Sequence, residues 1–180
     1  MNEFEARLIE LDRAQHGLVA IAQLRDYSDA VLKHRARKRR ELVRRGVLAN
    51  RSVAPTFEQR VHAAVLSAGP TAFASHETAA SLWKLPLRGP ALLEITTTLD
   101  HRPILAGVRM HRSGLIEAVD TTTVEGIPVA TPELAIYSVS SRFDVTLLGR
   151  MVDDGVRRGI VTLDRLGELV ARLAHAPGRS

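Results

Sequence analysis

Between Lys33 and Arg45, thirteen consecutive residues carry eight Lys or Arg side chains and one acid, Glu41. Unpaired charges are too costly to bury, so this stretch has to face outward and the core must form from the chain on either side of it. Its local charge is +7, whereas the whole chain carries only +5. The remainder, with 17 basic against 19 acidic residues, therefore balances at −2. A solvated helix face normally mixes both signs. Positive charge gathered this tightly is the footprint of a surface that meets a polyanion. Arg outnumbers Lys 22 to 3 throughout, so the preference for Arg within the segment carries no information of its own.

The flanking pattern gives the segment a context. Phe4, Leu8 and Leu11 share one face of a helix expected from Glu3 to Gln15, and His16-Gly17 ends it. A short extended piece at Leu18-Val19, a second short helix over Ala20–Asp26 and a turn at Tyr27-Ser28 follow. Ser28 then caps a basic helix, with Asp29 at its positive end and Leu32, Ala36 and Val43 at helical spacing. Helix, short helix, turn and basic helix is the order of a helix-turn-helix, whose last helix enters the major groove. Leu42–Arg44 and Val47–Ala49 around Arg45-Gly46 read as a two-stranded wing, with the basic helix ending near Arg39 or Arg40; one continuous helix to Arg45 is the rival reading. The expected double-stranded DNA contacts are Lys33, His34, Arg35, Arg37, Lys38, Arg39, Arg40, Arg44 and Arg45. Lys33, His34 and Arg37 stand early enough on the helix to reach base edges, and Arg44 and Arg45 would grip flanking phosphates.

The polar, turn-rich stretch Asn50–Pro55 marks the expected domain boundary, with a DNA-binding domain over 1–54 and a mixed α/β domain over 55–180. The overall expectation is an α+β protein, an N-terminal winged helix-turn-helix followed by that mixed domain. Thr56 opens a helix to Ala68, stopped by Gly69-Pro70, and Ser75 caps another from His76 to Trp83. Strands are expected at Ala72–Ala74, Ala91–Thr98 and Val108–Arg112, and across Thr121–Val129 with a turn at Gly126. Thr131-Pro132-Glu133 combines an N-cap, a proline at the first helical position and an early acid. Two more helices cover Val145–Arg158 and Leu163–His175, the last with Leu166, Leu169, Val170 and Leu173 inward. Aromatics are only 4% of the chain, so the core must be aliphatic.

Nothing in the spacing announces catalysis. There is no P-loop, GxGxxG or GxSxG, and Asp153-Asp154 point apart on a helix. His62, His76, His101 and His111 lack HxxxH spacing and carboxylate companions on their own elements, so no metal ligand is assigned. A nuclease of the PD-(D/E)XK kind wants acid-x-Lys on a strand; the strongest strand offers Glu94-Ile95-Thr96, without the lysine. The chain is expected to be no enzyme and to need no cofactor. With no cysteine, no apolar signal core and no membrane-length run, it is expected to be soluble and cytoplasmic, without a membrane partner.

Five stretches together resemble the AbiEi-type antitoxins, the antitoxin half of abortive-infection toxin–antitoxin pairs, and their winged-helix relatives in actinobacteria. They are Gln15–Val19 with Gln23-Leu24, Arg45–Leu48, Thr56–Arg60, Ala74–Trp83 and Gly126–Pro132. The resemblance spans nearly the whole chain. It implies an N-terminal winged helix that represses the operon's own promoter, and a following domain that antagonises a nucleotidyltransferase-type toxin. Two departures stand out. Leu48 occupies a position where relatives usually hold an aromatic, and many relatives continue into a Vsr-like endonuclease domain where this chain stops at Pro177-Gly178-Arg179-Ser180. The chain is therefore expected to be a nuclease-free member or a fragment. The alternative function is the DNA-recognition portion of a larger or degenerate Vsr-like endonuclease.

Overall fold

The computed structural model describes residues 3–27, 40–98 and 103–174. The described residues are mixed α and β, six α-helices and two sheets, and the chain divides into two compact units, Met1–Pro70 and Thr71–Ser180.

In the first unit, helix α1 (Glu3–Ala14) leads through Gly17 into strand β1 (Leu18–Ala20) and a 3-10 turn, Ile21–Leu24. Gly17 has φ of +76°, and a Cβ there would stand 2.9 Å from Val53 Cγ2, so both conformation and space require glycine. The turn is shorter than the helix expected over Ala20–Asp26. Ala20 has no side chain to cap it, and the Gln23 carboxamide instead accepts from the Ala20 N–H at 2.9 Å.

Strands β2 (Arg40–Arg44) and β3 (Val47–Asn50) form the expected hairpin, turning at Arg45-Gly46 with Gly46 at φ +73°. The continuous helix to Arg45 does not occur. A bulge lies between Leu42 and Arg44, and β1 pairs antiparallel with β3, giving the order β1-β3-β2.

This small sheet is covered on both faces. Val19 and Leu48 pack with Phe4, Leu8 and Leu11 of α1, whereas Leu18, Val47 and Ala49 pack with Ala63 and Leu66 of helix α2 (Phe57–Ala68). Strand alternation sends adjacent residues to opposite faces, so double coverage makes Leu18–Ala20 a continuous apolar run. Each large aliphatic side chain taken wholly from water contributes about 1.5–3 kcal/mol. Helix α2, capped by Thr56 Oγ1 accepting from Gln59 N at 3.1 Å, thus belongs to the first unit. The expected division at 54/55 falls inside that unit, because the polar stretch before α2 is a loop within one core.

The second unit is built on a five-stranded mixed sheet, order β6-β5-β4-β8-β7. Its strands are β4 (Phe73–Ala74), β5 (Leu93–Thr97), β6 (Val108–Arg112), β7 (Thr121–Val124) and β8 (Ile127–Ala130). β5 runs parallel to β6 and antiparallel to β4, while β4 runs parallel to β8. The β7–β8 turn places Glu125 and Gly126 at φ of +50° and +79°, the two positive angles a tight type I′ hairpin requires.

Helix α3 (His76–Leu82) follows β4 and is tied to β8 by Trp83 Nε1 donating to the Ala130 carbonyl at 2.8 Å. Helix α4 (Pro132–Val139) starts as expected, with Thr131 Oγ1 accepting from Leu134 N. Helices α5 (Val145–Arg157) and α6 (Leu163–Ala174) complete the unit. Leu169 and Leu173 of α6 are buried, but Val170, one residue round the helix from Leu169, is 42% exposed rather than inward.

One basic residue is part of the first unit's frame. Arg40 is 8% exposed, and its Nη2 donates to Asp12 Oδ2 at 2.5 Å; Asn50 Nδ2 donates to the same oxygen at 3.1 Å. Asp12 therefore holds both strands of the hairpin to α1. Arg40→Ala is expected to destabilise the protein by about 3 kcal/mol, because it strands a largely buried carboxylate. Urea unfolding of the two proteins at pH 7 measures this, and an unchanged midpoint would show that the pair contributes nothing.

Candidate functional site

Of the nine residues expected to bind DNA, Lys33, His34, Arg35, Arg37, Lys38 and Arg39 lie outside the described residues. Arg40 is a correction: burial and the Asp12 ion pair turn its charge inward, so it is not a DNA contact. Arg44 is half-buried on β2, and Arg45 is exposed at the hairpin turn. Leu42 and Val43, beside them on the edge strand, are also exposed, at 59% and 41%.

The second unit holds a polar cluster that motif spacing did not reveal. Its centre is Glu94 on β5, 2% exposed. Oε1 accepts from Arg142 Nη1 at 2.7 Å and lies 3.2 Å from His111 Nε2, with Arg109 Nη1 at 3.6 Å. Oε2 accepts from the backbone N–H of Glu77 at 3.0 Å, and the Glu94 N–H donates to Thr78 Oγ1 at 2.8 Å. Glu94 thus satisfies an amide of the first turn of α3 from a neighbouring strand, the work an N-cap side chain usually does.

Ser75, which stands at the cap position, has no capping hydrogen bond. Its hydroxyl instead receives Thr96 Oγ1 at 2.8 Å and lies 3.0 Å from His76 Nδ1. The His76 and His111 rings stack with centroids 3.9 Å apart and planes 20° from parallel. His76 has φ of +49°, a left-handed angle rare for a side-chain-bearing residue and found preferentially where a site constrains the backbone.

The sheet register explains the grouping. In the parallel β5–β6 pair Glu94 aligns with Arg109 and Thr96 with His111, so strand alternation brings all four to one face. Helix α3 supplies His76 and Glu77, and the segment after α4 supplies Arg142. The detectable signal was the two alternating strands, Glu94-Ile95-Thr96 and Arg109-Met110-His111, each placing a polar residue at every second position.

The electrostatics are those of a charged acid beside a His76 imidazole held neutral. Burial alone would raise the Glu94 pKa, but hydrogen bonds from His111, Arg142 and the Glu77 amide outweigh it and hold the carboxyl at about 2. Burial first, and then the adjacent His111, lower His76 to about 4. Beside the cluster opens a cleft of about 310 Å³, walled by Ser75, His76, Thr96, His111 and Tyr137 among others. The sequence reading assigned no metal ligand, yet the structure brings His76, Glu94 and His111 together with candidate ligand atoms within 4.8 Å of one another. The basic partners of Glu94 are His111, Arg142 and Arg109, with no lysine among them, so the cluster departs from the PD-(D/E)XK pattern. His62 lies elsewhere, in the first unit against His16, and His101 lies outside the described residues.

No protein-family model matches the chain, and no curated protein matches it either. None of the helices among the described residues is long and apolar enough to cross a membrane.

The depressed Glu94 pKa sets a pH dependence. The unfolded carboxyl takes up its proton near 4.5, before the folded one does, so this contribution is full above that pH and lost as pH falls toward 2. Its size is on the order of 3 kcal/mol. Unfolding free energy measured from pH 6 to 2.5 should fall less steeply below pH 4.5 in Glu94→Gln than in the native sequence. Parallel profiles would show that Glu94 carries no such linkage.

Proposed function

We propose that the protein is a DNA-binding transcriptional repressor that acts as the antitoxin of a nucleotidyltransferase-type toxin, and that it has no catalysis of its own. The observation that carries the DNA-binding part is the hairpin β2–β3. Its first strand and turn are the last part of the +7 segment, the turn exposes Arg45, and its base is fixed to α1 through Asp12. A helix, a strand, a 3-10 turn, a basic segment and a two-stranded hairpin is the order of a winged helix-turn-helix. Under this reading the basic residues of 28–39, outside the described residues, meet the DNA and Arg45 supplies a contact to the phosphate backbone. Leu42 and Val43 are exposed on the same hairpin, where an apolar surface can lie against the sugar edge of a groove. The antitoxin part rests on the resemblance of five ordered stretches to AbiEi-type proteins. It is supported by the charge balance of the second unit, 12 basic against 12 acidic residues, which gives that unit no nucleic-acid footprint.

Promoter DNA titrated against a scrambled duplex at several salt concentrations tests the reading. With four to six phosphates neutralised, log affinity should fall by about 4–5 units per decade of salt. Arg45→Ala should weaken both duplexes alike and reduce that slope by about one, whereas Arg37→Ala should cost about 1–3 kcal/mol on the promoter alone. Plasmid DNA incubated with the protein and magnesium or manganese should stay intact. If Arg37→Ala and Arg45→Ala bind like the native protein at every salt concentration, the segment is a solvated face and the reading falls. For the antitoxin part, co-expression with the toxin encoded beside it should rescue growth, and rescue should survive Arg37→Ala. Failure of rescue by the native chain would remove that part.

A further inference from the structure

We infer that His76, Glu94 and His111 form a binding site for a divalent transition-metal ion of the zinc class, set in the wall of the second unit's cleft. The donor set is two imidazoles and one carboxylate, the combination that favours zinc and its neighbours over magnesium or calcium. Three elements deliver the donors: His76 opens α3, Glu94 lies on β5 and His111 on β6. All candidate ligand atoms lie within 4.8 Å of one another, and His111 Nε2 and Glu94 Oε1 are 3.2 Å apart. Two ligands about 2.0–2.1 Å from a tetrahedral ion stand roughly that far apart.

The surroundings orient these donors. The Ser75 hydroxyl at His76 Nδ1 leaves Nε2 of that ring for an ion. Arg142 and the Glu77 amide hold the Glu94 carboxylate, one on each oxygen, while the second lone pair of Oε1 faces His111 Nε2, whose proton the ion would replace. Metal-binding residues are characteristically fixed by such outer hydrogen bonds. The left-handed backbone at His76 adds a separate indication, since strain of this kind is retained where a side chain must be aimed.

Binding changes one feature of the cluster. Rings stacked 20° from parallel do not both direct a nitrogen lone pair at one point, so the ion opens the stack by turning a ring about its χ angles. His76 and His111 line the cleft, so an ion held by them would be reached from it. Water or a small anionic group can fill the remaining coordination position. Glu94 and Glu77 balance Arg142 and Arg109, so the bound ion makes the cleft wall net positive.

The test uses the full chain, freed of metal by chelation and dialysis. Calorimetric titration with Zn²⁺ should show one site per chain, and Co²⁺ should give the visible bands of a four-coordinate nitrogen–oxygen site. His111→Ala, at a half-buried position on β6, should weaken Zn²⁺ binding by more than about 100-fold, beyond the effect of losing an outer hydrogen bond. His76→Asn, which suits the left-handed backbone, should do the same while keeping the native circular dichroism. Zn²⁺ should raise the melting temperature of the native chain and of neither variant, and Mg²⁺ should raise none. Absence of a one-per-chain site, or binding by both variants equal to that of the native chain, would overturn the inference and leave the cluster a hydrogen-bonded His–Glu–Arg network.

Discussion

The second unit depends on an ionised carboxylate kept almost wholly out of water. Removing a carboxylate from solvent without partners costs several kcal/mol, so Glu94 at 2% exposure constrains everything that surrounds it. Its donors come from the first turn of α3, from β6 and from the segment after α4. Each of those elements is positioned by the same charge. The α3 terminus has its amide satisfied by a strand residue, which frees Ser75 to turn toward His76 and Thr96. The stacked histidines and the cleft beside them follow from that arrangement.

The first unit solves a different problem. It folds around a sheet of three short strands. Two helices sandwich the sheet, so each strand residue finds apolar cover on one side or the other. The hairpin end of the basic segment is anchored by Arg40 to Asp12. One cation of the run thereby serves the structure.

Much of this was legible in the sequence where a local rule decides the outcome. Thr56 and Thr131 accept the helix-opening amides expected of caps, and Gly46 and Gly126 turn their hairpins. Phe4, Leu8 and Leu11 bury the face their spacing marked. The failures occur where distant residues decide. Arg40 belongs to a uniform basic run, and only the approach of Asp12, 28 residues earlier, turns it inward. Helix α2 follows a turn-rich stretch that reads as a linker, but the uncovered face of the first sheet claims it. The His76–Glu94–His111 group draws one residue from each of three elements, so no spacing within one element could display it. Its trace was the alternation of two strands, and their parallel register is a property of the fold.

Under the proposed function, nucleic acid meets the basic segment and hairpin, and the histidine–carboxylate cluster takes no part in binding it. Backbone amide chemical shifts followed by NMR during titration of the full chain with a promoter duplex test this most directly. The account predicts shifts concentrated in residues 28–48, with the amides of Ser75, His76, Glu94 and His111 unmoved. Shifts centred on those four residues, or the absence of any shift at saturating duplex, would contradict it.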